Sequence, residues 1–145
     1  MNNYNLTATA PVFAQYASNT TDNYTITKTA HAGIPASSFF DAAEVSGFRK
    51  EDFASLLDTS LKTFDRHKKE NKKLNPQKSE YILKFIALFK KGEEVFGVLS
   101  EFRQWIRKPS FGLGGIVPYD LLPTTGGICL LYTSDAADEK VRGVV

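Results

Sequence analysis

Apolar residues between positions 35 and 74 recur every three or four residues, which is the spacing of amphipathic helices. A first helix is predicted to begin at Pro35 and to stop at Gly47, because glycine adopts left-handed dihedral angles without strain. Its inner side is predicted to carry Phe39, Phe40, Ala43 and Val45. The pattern therefore predicts one short helix that ends in a turn.

Two further helices are predicted, separated by a short break at Asp58. The first covers Lys50–Leu57 and has an apolar stripe at i, i+1 and i+4. Ser60 is a good N-cap for the second, which is predicted to run to about Lys73. A short scaffold helix, a tight turn and a polar, basic helix form the pattern of a helix-turn-helix, although glycine is more usual than aspartate in that turn.

A longer apolar helix is predicted over Lys78–Lys91, with an interruption at Gly92. Its apolar positions exceed what one face needs, which predicts burial on most sides or a dimer interface. After Pro109 the chain becomes rich in glycine and proline. Pro118 is predicted to begin a short helix, and residues 125–127 are predicted to form a turn. The fold class predicted is all-α, with an N-terminal helix-turn-helix bundle and a small helical domain that carries a Gly/Pro-rich loop.

The start of the chain differs from the rest. Residues 1–34 are rich in Thr, Asn and Ala, with aromatic residues that follow no period. This composition is typical of a flexible arm. The predicted organisation is a disordered arm at 1–34, a helix-turn-helix domain at 35–74 and a second domain at 75–128.

The composition excludes several classes of protein. With one cysteine and two histidines in 145 residues, a disulfide framework or a His/Cys metal cluster is not expected. Neither histidine has a nearby Ser or Cys partner in sequence, and the glycines near residue 112 are not followed by a phosphate-loop lysine. We therefore expect no catalytic residues, no cofactor and no metal. No apolar run reaches membrane-spanning length and no signal peptide is visible, which predicts a cytoplasmic protein without a membrane partner.

Charge is concentrated in one stretch. Residues 62–91 carry ten bases and three acids, a net charge of +7, in a chain whose total is +2. Such a stretch is typical of a protein that binds a polyanion, and the alternative is a solvated helix face.

If the third helix enters the major groove of DNA, Arg66 is placed to read a guanine edge. Ser60, Lys62, Lys69 and Lys72 would then contact phosphates, and His67 would do either. The predicted DNA-binding residues are Ser60, Lys62, Thr63, Arg66, His67, Lys69 and Lys72. The alternative is that the same helices form a plain bundle.

An ordered series of short motifs adds a family resemblance. Val95-Phe96-Gly97, Trp105-Ile106, Pro109-Ser110, Leu113-Gly114-Gly115 and Pro118-Tyr119-Asp120-Leu121-Leu122 follow one another. This series resembles the toxin-binding domain of the Xre/MbcA/ParS antitoxin family, and Phe48–Ser79 resembles the Xre-like helix-turn-helix that precedes it there. The resemblance covers about residues 35–128.

The resemblance implies an antitoxin of a type II toxin–antitoxin operon, without catalytic activity. Its partners would be a cognate toxin and the double-stranded operator DNA. The toxin would be of the RES type, which consumes NAD, or of the ADP-ribosyltransferase type. The antitoxin itself would be a homodimer within the toxin–antitoxin complex. The residues implied as toxin-binding or scaffold positions are Trp105, Pro109, Leu113, Gly114, Gly115, Pro118, Leu121 and Leu122. The main alternative is a helix-turn-helix transcriptional regulator whose C-terminal half only dimerises.

The family pattern stops at Ile128. Residues Cys129–Glu139 resemble the translation of a transposase sequencing adapter, which predicts a non-native tail at 129–145 without a packing partner. The alternative is a genuine short tail. If the tail is non-native, the toxin-binding domain is incomplete, and we expect toxin neutralisation to be weak or absent.

Overall fold

The computed structural model describes residues 11–133, and within that range the chain is helical, with two isolated β-bridges and no strand. One helix, α1, occupies residues 11–16. The others are α2 (Asn23–Ala32), α3 (Ser37–Ser46), α4 (Lys50–Leu56), α5 (Leu61–Lys69), α6 (Pro76–Phe96), α7 (Leu99–Trp105) and α8 (Thr125–Thr133). Short 3-10 helices lie at Ala17–Asn19, Phe111–Leu113 and Pro118–Leu121. The predicted all-α class is confirmed, and no described helix is both long and apolar enough to cross a membrane.

The central element is α6, against which α2, α3, α7 and α8 all pack. Pro76 occupies its first turn, where no backbone donor is needed, and the Asn75 side chain accepts a hydrogen bond of 2.8 Å from the Lys78 amide. Most of its apolar side chains are buried on several sides, as the sequence predicts. Because helices from both predicted domains pack on α6, one core serves both.

The predicted interruption at Gly92 is wrong. Helix α6 continues through Gly92 to Phe96, and its C-cap is Gly97, whose φ is 86°. A Cβ at position 92 would lie 2.3 Å from Cγ of Phe102, so the missing side chain makes room for that ring on α7. This glycine serves close packing between helices and does not end one.

The prediction of a flexible arm is wrong for residues 11–34, while residues 1–10 lie outside the described range. Helix α2 buries Ile26 and Ala30, which are four residues apart and face α6. Two apolar positions in a background of Thr and Asn are too weak a signal to predict a helix. Contact with α6 supplies the burial that propensity does not.

A second contact fixes the chain before α2. The Tyr16 hydroxyl lies 2.8 Å from a carboxylate oxygen of Asp41 and 2.7 Å from the Ser38 hydroxyl, both on α3. Burial raises the pKa of Tyr16 above its usual value. The segment is therefore held to the helical core by a polar contact as well as by apolar packing.

The first two helices of the predicted helix-turn-helix are confirmed, with Gly47 as the left-handed C-cap of α3 at φ 73°. The third is shorter than predicted, since α5 ends at Lys69. Asn71 then has a φ of 55°, and the chain turns so that the Lys72 carbonyl accepts a hydrogen bond from the Ala36 amide. This contact with the chain before α3 replaces the hydrogen bonds that a longer α5 would form, so the helix does not reach Lys73.

Two predictions fail near the C-terminal end. Residues 125–127 begin α8 instead of forming a turn, because the Thr124 hydroxyl accepts a hydrogen bond of 3.0 Å from the Gly127 amide, as an N-cap does. Gly127, without a Cβ, packs directly on the Leu121 carbonyl. Residues 129–133 do have a packing partner, since Leu131 is buried in the core and α8 packs on α6. The rest of the predicted tail, 134–145, lies outside the described residues.

Candidate nucleic-acid interface

Stacked aromatic rings hold α5 in place. The ring of Phe64, fully buried, stacks on Phe39 of α3 with centroids 3.9 Å apart and planes within 8°. Phe39 also stacks on Phe53 of α4, at 5.0 Å. One aromatic side chain from each helix thus fixes the relative orientation of the three helices.

The turn between α4 and α5 has a defined geometry. Asp58 adopts φ 54°, the left-handed conformation that glycine usually supplies there. The Ser60 hydroxyl accepts a hydrogen bond of 3.2 Å from the Thr63 amide and lies 2.9 Å from the Thr63 hydroxyl. Two of the predicted DNA-binding residues, Ser60 and Thr63, therefore cap α5 and place polar groups at its N-terminal end.

Three predicted DNA-binding side chains share one exposed face of α5. Lys62, Arg66 and Lys69 follow at i, i+4 and i+7, opposite the buried Phe64, and all three are exposed. They form what we call the basic row. Asp65 is also exposed on this helix, and its single negative charge offsets only part of the three positive charges of the row.

The structure separates His67 and Lys72 from the basic row. His67 is half-buried and lines a hollow of about 360 Å³ beside α5, together with Lys73 and Lys78. Its Nε2 lies 3.5 Å from the Arg66 guanidinium. Lys72 lies beyond the end of α5 and pairs with Glu70 at 3.2 Å. These two residues flank the row and do not belong to it.

Two lysines missed by the sequence analysis lie on the other side of α5. The ammonium of Lys68 lies 4.8 Å from the ring centroid of Phe40, and that of Lys50 lies 5.6 Å from the same centroid. Lys68 is seven residues, or about two turns, after Leu61, so it lies at the edge of the apolar side of α5. This spacing would have distinguished Lys68 from the basic row. The position of Lys50 depends on how α4 packs on α3, and no local pattern predicts it.

The predicted toxin-binding or scaffold residues divide by burial. Pro118 and Leu122 are buried, and the Leu122 carbonyl accepts a hydrogen bond of 2.6 Å from the Tyr81 hydroxyl. Trp105 is half-buried and packs on Phe102, with ring centroids 5.6 Å apart. The half-buried members also include Leu113 and Leu121, and the exposed ones are Pro109, Gly114 and Gly115.

The glycine-rich loop presents two apolar side chains that the sequence analysis did not select. The Ser110 amide donates to the Ile116 carbonyl at 2.9 Å, and Gly114 takes φ 71° to close the turn. Phe111 is 79% exposed and Ile116 is 48% exposed. A fixed loop that holds apolar side chains in solvent is typical of a protein-binding surface.

Comparison with known proteins identifies the helix-turn-helix. A family model described as the antitoxin Xre-like helix-turn-helix domain matches residues 26–87, from within α2 to the middle of α6. No curated protein matches the chain. The matched range includes residues 26–32 of α2, a segment that the sequence predicted to be a flexible arm. Residues 26–87 are therefore similar to the Xre-like helix-turn-helix domain of antitoxins.

Proposed function

We propose that this chain is a non-catalytic antitoxin that represses its own operon by inserting α5 into the major groove of operator DNA. The observation that carries this proposal is the basic row, three exposed cationic side chains on one face of a helix whose opposite face is fixed by Phe64. A helix held in this way can enter a groove without losing its orientation.

The three side chains differ in what they contribute. The planar guanidinium of Arg66, in the middle of the row, donates two parallel hydrogen bonds to the O6 and N7 acceptors of guanine. Lys62 and Lys69, one turn to either side, are compact charges suited to phosphates. Arg66 would supply sequence discrimination, and the lysines would supply affinity that falls with salt.

Fluorescence anisotropy with a duplex from the promoter of its own operon and a scrambled duplex tests this assignment. Arg66→Ala should weaken operator binding by about 1–3 kcal/mol and leave the scrambled duplex almost unaffected. Lys90→Ala, which removes a charge from α6 near its C-terminal end, is the control and should change the affinity for neither duplex. Equal losses on both duplexes would make Arg66 a phosphate contact, and no binding by the unaltered chain would refute the proposal.

We also propose that the C-terminal half binds a toxin of the RES or ADP-ribosyltransferase type and covers its NAD-binding cleft. The exposed Phe111 and Ile116 support a protein partner at this end of the molecule. The test is the NAD-dependent activity of the toxin encoded in the same operon, measured with and without the chain. Because the predicted non-native tail replaces the segment that reaches the toxin in the resembling family, we expect binding with weak inhibition, and Phe111→Ser should reduce that binding.

The same two apolar side chains also fit the second candidate function, a regulator whose C-terminal half only dimerises. Light scattering of the unaltered chain and of Phe111→Ser, without toxin, separates the two cases. A dimer that dissociates in the variant, together with no toxin binding, would favour the plain regulator.

A further inference from the structure

A groove of about 420 Å³ lies between α3, α4 and α5, and Lys68 is the residue of α5 that lines it. The aromatic rings of Phe40 and Phe48 line it, and Lys50 and Lys68 stand at its edge. The guanidinium of Arg107 lies 4.7 Å from the Phe48 ring centroid, so a third cation borders the same lining. The groove combines an aromatic surface with several positive groups.

The charges around the groove are not balanced. The ammonium groups of Lys50 and Lys68 lie over one ring, at 5.6 and 4.8 Å from the Phe40 centroid, and neither forms an ion pair with a residue of the described range. Glu44 is an acidic residue in the lining, and it is outnumbered by the cations. Two like charges near one ring repel each other, and an anion bound in the groove that both lysines line would reduce that repulsion.

We propose that this groove binds a phosphodiester of the DNA backbone, with Lys50 and Lys68 as its hydrogen-bond donors. Lys68 directly precedes Lys69 of the basic row, so its side chain projects about 100° around α5 from that of Lys69, on the flank of the helix. A helix about 10–12 Å wide fills a major groove about 12 Å wide, and residues on its flank therefore meet the backbone at the groove edge. This inference rests on the proposed entry of α5 into the major groove.

The experiment measures the salt dependence of binding to the promoter duplex and to the scrambled duplex. The double variant Lys50→Gln/Lys68→Gln should reduce the slope of log K against log salt by about 0.9, the value for one neutralised phosphate, and each single variant should reduce it by less. Both duplexes should be affected equally, because a phosphate contact carries no sequence information. Lys68→Arg, which keeps the charge, should retain the slope of the unaltered chain.

The control is Lys90→Gln, at a position about 18 Å along α6 from Lys78 and on the part of the helix farther from α5. It removes the same charge and should leave the slope unchanged. The thermal midpoint of every variant checks that the fold is retained, and both lysines are exposed, so their replacement leaves the core intact.

Two failures are distinguishable. If the double variant keeps the slope of the unaltered chain while Arg66→Ala loses operator discrimination, the groove has another occupant, such as an acidic protein segment, and only the inference fails. If the unaltered chain shows no salt-dependent binding to either duplex, the proposed function fails and the inference fails with it.

Discussion

The guanidinium of Arg103 on α7 donates hydrogen bonds to the main-chain carbonyl of Val45 at the C-terminal end of α3. The Nε–O and Nη2–O distances are 3.0 and 2.6 Å, and Nη2 also lies 3.0 Å from the Glu44 carbonyl oxygen. The end of a helix leaves such carbonyls without partners, and its dipole favours a cation there. The arginine also lies against Gly47, where a Cβ would be 3.2 Å from Nε. The C-terminal half of the chain thus supplies the cap for a helix of the helix-turn-helix.

Replacing Arg103 by Met should lower the free energy of unfolding by about 1–3 kcal/mol, because part-buried carbonyls lose charged donors. Urea titration followed by circular dichroism measures the change. Arg49→Met is the matched control, since Arg49 is exposed and its carboxylate contacts, at 3.7 and 3.9 Å, are at the surface. Equal losses in the two variants would show that the contacts of Arg103 are not stabilising.

Two of the helical glycines, Gly92 and Gly126, should respond to alanine in opposite directions. Gly92→Ala places a methyl group 2.3 Å from the Phe102 ring and should cost about 1–3 kcal/mol or more of stability. Gly126→Ala meets nothing closer than 3.8 Å and should raise stability by about 0.4–1 kcal/mol. Thermal unfolding of both variants measures the difference, and a neutral Gly92→Ala would mean that α7 moves away from α6 at little cost.

The turn between α4 and α5 should become more stable with glycine at position 58. Asp58 has φ 54°, a conformation that costs most side chains about 1–2 kcal/mol and glycine almost nothing. We expect Asp58→Gly to raise the free energy of unfolding by less than about 1 kcal/mol, since aspartate tolerates the conformation better than most residues. Asp58→Val should lower it by about 1–2 kcal/mol. Chemical denaturation compares the three proteins, and similar values for Gly and Val would contradict the assigned geometry.

Stability should decrease at alkaline pH because of two buried tyrosines. Burial raises the pKa of Tyr16 and of Tyr81 above the usual value. Both hydroxyls stay neutral in the folded chain while they ionise in the unfolded chain above about pH 10, so the stabilisation is complete below that pH and is lost as the pH rises above it. Denaturation midpoints between pH 8 and pH 11 should fall less steeply for Tyr16→Phe and Tyr81→Phe. Tyr24→Phe, at a position 76% exposed, should keep the alkaline slope of the unaltered chain.

Local signals predicted the helix-turn-helix well. Each signal acts within a few residues. Gly47 ends α3 with a left-handed dihedral angle, and Ser60 begins α5 as its N-cap. The apolar spacing of α3 and α4 defines a single buried face on each helix. The basic row was also predictable, because residues four and three positions apart must share a face once the helix exists.

Other features depend on residues far apart in the chain. Gly92 reads as a helix stop until the Phe102 ring is known to occupy the space beside it. The helix of residues 23–32 lacks a strong apolar period and forms against α6. For the exposed apolar loop, the sequence predicted Gly114 and Gly115 as toxin-binding or scaffold positions but did not predict Phe111, whose exposure depends on how the loop packs.

The sequence by itself determined the helical class, the capped turn before α5 and the row of Lys62, Arg66 and Lys69, because each follows from spacing and backbone preference along one segment. Only the tertiary structure decided that α2 belongs to the same core, that Arg103 caps α3 and that Lys50 and Lys68 meet over Phe40. Lys50 and Lys68 are 10 and 28 positions from Phe40, and Arg103 is 58 positions from Val45. The energy of these relationships comes from burial and from hydrogen bonds that exist only after the helices have packed.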